Sequence, residues 1–288
     1  MTESHGGYYL PQPSHWPVVG SVGLFLLLGG FAHFLVDNGS PLWMLVGAAV
    51  VITMMFGWFG KVINESVSGS YNAQVDRSFR MGMAWFIFSE VMFFAAFFGA
   101  LFYMRIFAEP WLGGASNNFS THAWLYPDYT AHWPSNGPKS VGGEFETMNP
   151  WGIPAINTLI LLTSGVTVTW AHWGLKKNNR SQLILGLFMT VALGALFVGL
   201  QAFEYHHAYS EMNLKLTTGA YGSTFFMLTG FHGLHVTIGA IMLLVMLLRS
   251  IKGHFSAEHH FAFEAAAWYW HFVDVVWLGL FIFVYWLV

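Results

Sequence analysis

The sequence predicts an all-α integral membrane protein with seven transmembrane helices. Of its 288 residues, 55% are hydrophobic and only 9% are charged, whereas a typical soluble domain has about 25% charged residues. Seven apolar segments, each long enough to span a bilayer, follow one another along the chain. The absence of cysteine excludes disulfides, thiolate catalysis and iron–sulfur clusters. A net charge of −3 with 11 basic residues argues against a nucleic-acid partner.

The first two segments predict an antiparallel helix pair. They cover about residues 17–36 and 42–60, and the link between them, D-N-G-S-P at 37–41, is short and rich in turn formers. Residues 1–16, before them, contain no Lys or Arg, which fits neither a secretory signal nor an arginine-rich transit peptide. The orientation predicted from the basic residues makes these residues a cytoplasmic N-terminal tail.

The third segment, around which the other segments are arranged, contains one carboxylic acid. It reads R-MGMAWFIFSEVMFFAAFFGALFYM-R from Arg80 to Arg105, and Glu90 is the only acid among the 24 residues between the arginines. Such a run is about 36 Å of helix, with Glu90 about 14 Å from its start and close to the bilayer centre. An acid at that depth is costly and indicates a function. The alternative is a structural acid that stays protonated or bonds to a neighbouring helix.

Four further segments and one long loop complete the chain. The segments cover about 149–173, 181–205, 220–248 and 261–288. The loop, residues 108–149, is rich in Gly, Pro, Ser, Asn and aromatic residues and has no periodicity. A connection of this length is usually functional or disordered, so we expect a folded or partner-contacting external loop.

The basic residues predict the orientation. Eight of the 11 lie in the loops between segments two and three, four and five, and six and seven. The other side of the membrane has only Arg105, Lys139 and Lys215. The positive-inside rule therefore places the N-terminus and those three loops in the cytoplasm and the C-terminus outside.

Few polar side chains within the spans could carry chemistry. Besides Glu90 they are His33, His232, His235, Glu264, His271 and Asp274. His232 and His235 are three residues apart, as are His271 and Asp274, so each pair shares a helix face. They could ligate a haem or a metal, or they could be buried polar groups that hydrogen-bond across helices. We favour the structural interpretation, because a His pair at this spacing is a weak motif and lacks the Glu-x-x-His carboxylates of a di-metal site.

Two other groups of polar residues lie near predicted helix ends. His172 is expected at the headgroup level, and E-Y-H-H at 204–207 is expected to be solvated. No phosphate-binding glycine loop, dinucleotide fingerprint, Ser-His-Asp order or H-E-x-x-H motif is present in the sequence. The sequence thus predicts no catalytic residue and no metal ligand in this chain.

Six blocks of the sequence resemble subunit III of cytochrome c oxidase, the haem-copper terminal oxidase of respiration. They are W-P-V-V-G (16–20), S-E-V-M-F-F (89–94), T-W-A-H (169–172), Y-G-S-T-F-F (221–226), G-F-H-G-L-H-V (230–236) and F-E-A-A-A-W-Y-W-H-F-V-D-V-V-W (263–277). The resemblance covers essentially the whole chain apart from the external loop.

The resemblance implies an arrangement of the helices and a set of partners. A two-helix group, residues 17–66, would splay from a five-helix bundle, residues 67–288, and phospholipid would fill the V-shaped cleft between them. This subunit would bind no haem or copper, since those cofactors belong to the catalytic subunit I and the copper-bearing subunit II.

The resemblance also assigns roles to individual residues. The family's carbodiimide-reactive glutamate matches Glu90. Its contacts to phospholipid headgroups resemble Arg80 and Arg249, and, with a looser match, Glu65 and His254. Because the resemblance places the redox centres elsewhere, it supports a structural role for the histidines and for Asp274.

The leading functional hypothesis is a non-redox core subunit of a proton-pumping cytochrome c oxidase. It would stabilise the catalytic subunit, bind structural phospholipid and support proton uptake. The alternatives are a membrane subunit with its own histidine-ligated haem or metal, and a proton-coupled transporter centred on Glu90. We expect a bacterial plasma membrane, with the mitochondrial inner membrane as the alternative location.

Overall fold

The computed structural model describes residues 9, 12–37 and 39–288, with the exception of the Asp37 side chain. Within these residues the chain forms α-helices and two π-helical turns, and no strand. The helices are α1 Trp16–Asp37, α2 Leu42–Val67, α3 Ala73–Tyr103, α4 Glu109–Leu112, α5 Phe119–Leu125, α6 Ile153–Lys176, α7 Arg180–Ser210, α8 Gly219–Ile251 and α9 Phe261–Leu280. Most of the predicted N-terminal tail, residues 1–16, lies outside the described residues.

The predicted fold class is confirmed. Among the described residues, seven helices are long and apolar enough to cross a membrane. Two of them are longer than hydropathy predicts. The helix that begins at Ala73 continues through the π turn Met104–Ala108 and α4 to Leu112, and α2 continues to Val67. Hydropathy detects only the apolar part of a helix, whereas the backbone hydrogen-bond ladder continues into polar sequence at each end.

The first compact unit, residues 1–79, is built on the pair α1 and α2. Two glycines allow the helices to touch at the backbone. A Cβ atom added to Gly30 would meet the backbone of Met44, and one added to Gly47 would meet the backbone of Leu27. Small residues at such positions are the usual means of close helix packing in a bilayer, where the hydrophobic effect does not drive association.

The second compact unit, residues 80–288, contains the remaining spans. Helix α6 packs against α7 and α9, and α8 packs against the same two helices. The most buried span is α9, and its two fully buried tryptophans both bond to α6. Trp270 Nε1 donates to Ser164 Oγ at 2.8 Å, and Trp277 Nε1 donates to Thr158 Oγ1 at 2.9 Å. Each buried indole therefore has a partner for its polar edge.

The loop 108–149 is folded, as one of the two sequence-based expectations proposed. The Tyr221 N–H donates to the carbonyl of Ser135 at 2.9 Å, and the Glu146 N–H donates to the carbonyl of Met212 at 3.0 Å. The Asn213 side chain donates to two loop carbonyls, at 2.9 Å each. These bonds tie the loop to the segment between α7 and α8 and to the start of α8.

The grouping of the helices stays a prediction. The boundary between the compact units falls after Phe79, inside α3, whereas the sequence-based boundary falls at residue 66. The splay of the first two helices and the lipid-filled cleft also stay predictions.

Candidate functional site

Glu90 lies deep in the longest span. It is flanked by apolar and aromatic residues on α3, and its side chain is 21% exposed. The helix continues for 17 residues before Glu90 and 22 residues after it, to Leu112. The structure thus places this acid far from both helix ends, as the sequence predicts.

The partner of Glu90 is His235 on α8. His235 Nε2 lies 2.9 Å from Glu90 Oε2, and His235 Nδ1 lies 2.6 Å from the carbonyl oxygen of Phe231. Since that carbonyl can only accept, Nδ1 carries a proton. Nε2 then either accepts a hydrogen bond from a protonated Glu90 or donates one to an ionised Glu90. The sequence left open whether Glu90 bonds to a neighbouring helix, and this contact shows that it does, with α8 as that helix.

Aromatic rings enclose the Glu90–His235 pair. The imidazole of His235 has ring centroids of Phe93 and Phe94 at 5.8 and 5.0 Å and that of Tyr269 at 6.3 Å. These side chains come from α3 and α9, so three helices meet at the pair. A hydrogen bond in such an apolar setting is electrostatically stronger than one in water.

The other histidines of α8 and α9 also contact polar groups of the protein. His232 is fully buried, and its Nε2 donates to the carbonyl of Val273 at 3.1 Å. His271 Nε2 lies 3.2 Å from Thr169 Oγ1, and His271 Nδ1 lies 3.6 Å from Asp274 Oδ2. His232, His235 and Asp274 are buried, and their structural role stays a prediction.

The prediction that His271 is buried is wrong for this chain. Its side chain is 46% exposed, because His271 shares with Trp268 and Val275 the one exposed face of α9. Asp274 lies outside this exposed face of α9, on the side where Gly165 allows α6 to approach α9 closely. A Cβ atom added to Gly165 would lie 2.6 Å from Asp274 Oδ2.

Glu264, at the start of α9, joins three other polar side chains. One carboxylate oxygen pairs with Arg80, and the other lies 3.4 Å from His172 Nε2 and 3.3 Å from His260 Nε2. The arginine also stands 5.4 Å from the ring centre of Phe261. We call His172, His260 and Glu264 the α6–α9 triad. His172 was expected at the headgroup level, and the sequence did not indicate its two partners.

The other predicted lipid contacts lie at helix ends. Arg249 is buried, its guanidinium stands 4.5 Å from the ring centre of Phe255, and its Nε has no hydrogen-bond partner. His254 lies five residues beyond it, and burial together with the positive charge of Arg249 lowers the pKa of His254 from its usual value. In the first unit, Glu65 accepts a hydrogen bond from Tyr71 at 2.9 Å.

The sequence did not predict the burial of two acids. Glu204 was expected to be solvated, but it is fully buried and accepts from Tyr285 at 2.7 Å. Glu109 is buried and accepts from Tyr129, which lies in the external loop. Burial and this bond raise the pKa of Tyr129 to about 12, so the phenol keeps its proton. Hydropathy could not predict that either acid is buried, because their hydrogen-bond partners lie 81 and 20 residues away in the sequence.

The fold and its polar contacts define a multi-pass helical membrane protein with a glutamate–histidine hydrogen bond deep in one span. The family model of cytochrome c oxidase subunit III matches residues 6–288. The chain is 42% identical to cytochrome c oxidase subunit 3 from each of three mammals, Hippopotamus amphibius, Equus caballus and Dugong dugon. Each match extends over 287 residues and covers 99% of this chain and 99% of the relative. The chain therefore belongs to the cytochrome c oxidase subunit III family, and the predicted resemblance is confirmed. Such a chain is a membrane subunit of an oxidoreductase complex.

Proposed function

We propose that this chain is a non-redox core subunit that stabilises the catalytic subunit of a proton-pumping oxidase. One observation carries the proposal: each histidine on α8 and α9 directs at least one ring nitrogen at a polar group of this same chain, although the buried His232 Nδ1 has no hydrogen-bond partner among the described residues. His232 bonds to a carbonyl, His235 to a carbonyl and a carboxyl group, and His271 to a hydroxyl. A histidine that ligates haem or copper must direct one ring nitrogen at the metal. These arrangements favour helix cross-linking over the alternative of a histidine-ligated redox centre.

The Glu90–His235 pair supports proton uptake indirectly in this proposal. Phenylalanine rings pack against His235, and Glu90 and His235 satisfy each other's hydrogen bond. A relay requires a chain of groups that can pass the proton onward. The pair instead fixes α3 against α8, which keeps the surface that these helices offer to a neighbouring subunit in one conformation.

We further propose that Arg80, Arg249, Glu65 and His254 contact phospholipid headgroups. The support is chemical. Arginines at helix ends commonly pair with phosphate groups, and the Nε of Arg249 has no partner in the chain. The partner subunits would be the catalytic subunit I and the copper-bearing subunit II, with haem and copper bound there.

Replacing Glu90 with glutamine tests whether its proton is required. We expect E90Q to assemble, reduce oxygen and pump protons, with at most a modest loss of rate or turnover life. Glutamine can donate a hydrogen bond to His235 Nε2, so the contact between α3 and α8 persists while the titrating group is removed. Oxygen consumption and proton ejection should be measured on the complex in reconstituted vesicles.

A matched control is E204Q, because Glu204 is also an acid within a span that has one hydrogen-bond partner. Both variants should retain the ratio of protons pumped to electrons transferred. Complete loss of pumping in an intact, lipid-replete E90Q complex, with pumping retained in E204Q, would show that the Glu90 proton itself is the function.

The orientation of the chain is proposed from its basic residues and can be tested with single cysteines, since the native chain has none. We expect a cysteine at Lys177 to react with a membrane-impermeant maleimide from the cytoplasmic side only, and one at Ser120 from the outer side only. Both positions are exposed, whereas Ser135, in the middle of the same loop, is fully buried and unsuitable. Labelling with the opposite sidedness would overturn the positive-inside assignment.

A further inference from the structure

We propose that the α6–α9 triad, His172, His260 and Glu264, binds a zinc ion. The three residues come from the end of α6 and the start of α9, with His260 at the N-cap position of α9 and Glu264 in its first turn. Neither the family membership nor the proposed function assigns a metal to these residues, and the sequence by itself predicts none in this chain.

The distances between the donor atoms match one face of a zinc coordination tetrahedron. His172 Nε2 and His260 Nε2 are 3.3 Å apart, and Glu264 Oε1 lies 3.4 Å from the first and 3.3 Å from the second. Zinc binds imidazole nitrogen and carboxylate oxygen at about 2.0–2.1 Å, so neighbouring donors of a tetrahedral site are about 3.3–3.4 Å apart. One zinc ion can therefore contact all three atoms at once.

Hydrogen bonding explains this arrangement less well. All three separations exceed the usual range of about 2.7–3.2 Å. His260 Nδ1 lies 3.0 Å from the carbonyl oxygen of Ser256 and donates a hydrogen bond to it. In a neutral ring Nε2 is therefore unprotonated and carries a lone pair. That lone pair faces a carboxylate oxygen and the Nε2 of His172. A cation between these atoms would satisfy the three donors together.

The surroundings of the triad complete a typical zinc environment. The bond from His260 Nδ1 to a carbonyl fixes the ring and its tautomer, as outer partners of zinc-bound histidines do. Arg80 holds the other oxygen of Glu264 and so orients Oε1 toward the histidines. His172 is 20% exposed, which gives the ion a path to the site. Two imidazoles and one carboxylate leave a fourth position for water.

The test uses the purified complex, stripped with a chelator and titrated with zinc chloride. We expect the wild-type complex to bind one more zinc ion than the H260Q complex. The affinity of H260Q for that ion should be lower than that of the wild type by more than about 100-fold. E264Q should show the same loss. Neighbouring exposed residues provide matched controls, so H259Q and E258Q should bind zinc as the wild type does. Zinc per haem is measured after desalting.

Zinc K-edge absorption then reports the ligands without interference from haem or copper. The signal that H260Q lacks should show two imidazoles and a total of three or four nitrogen and oxygen ligands at about 2.0–2.1 Å. Equal zinc content in wild type, H260Q and E264Q would overturn the proposal. If neither variant assembles, anomalous diffraction at the zinc edge decides on the wild type: a peak between the three donors supports the site, and no peak there overturns it.

Discussion

Replacing His235 with leucine is expected to weaken the attachment of this subunit to its complex more than replacing both members of the Glu90–His235 pair. In the single variant, Glu90 remains deep in a span without its partner. A buried polar group that loses its partner costs about 1–3 kcal/mol. In the double variant E90L/H235L two apolar side chains meet, and exchanging both partners for apolar groups is often close to neutral.

The measurement is the temperature at which the subunit is released from the purified complex, with the visible spectrum recorded on the complex that assembles. We expect a lower release temperature for H235L, recovery in the double variant, and an unchanged haem and copper spectrum in both. A release temperature that falls further in the double variant would show that the pair does not stabilise the contact between α3 and α8. Loss of a haem signal from assembled H235L would show that His235 is a ligand.

The G30A variant should separate α1 from α2. A Cβ atom at Gly30 would overlap the backbone of Met44, and backbone atoms cannot rotate away as a side chain can. Overpacking of this kind costs about 1–3 kcal/mol, and in a bilayer the lost contact is not replaced by hydrophobic association. G47A should behave alike, because its Cβ would overlap the backbone of Leu27. Heat-induced release or aggregation of the chain provides the measurement.

The neighbouring residue is the matched control for this prediction. Gly29 precedes Gly30 on α1, and a Cβ atom there would meet nothing within 4 Å. G29A should therefore leave the release temperature unchanged or raise it slightly, since alanine favours a helix by about 1 kcal/mol relative to glycine. Equal destabilisation by G29A and G30A would show that the effect does not come from the contact between α1 and α2.

The sequence alone predicted the spans well because membrane insertion depends on summed hydropathy, which is a local quantity. The boundaries of α1 and α8, for example, lie within three residues of the predicted ones. It predicted the depth of Glu90 for the same reason, since depth in a straight helix follows from counting residues. The boundaries failed where polar sequence continues a helix, as it does at the end of α2.

Only the tertiary structure decided which polar groups meet. The partner of Glu90 is 145 residues away, and the partner of Glu204 is 81 residues away. The sequence left open whether Glu90 bonds to a neighbouring helix and treated Glu204 as solvated, because each was considered only with its neighbours along the chain. The α6–α9 triad depends likewise on the approach of two helix ends whose histidines are 88 residues apart. Hydropathy thus determined which segments cross the membrane, whereas helix packing, which depends on the shapes of side chains distant in sequence, determined the chemistry between them.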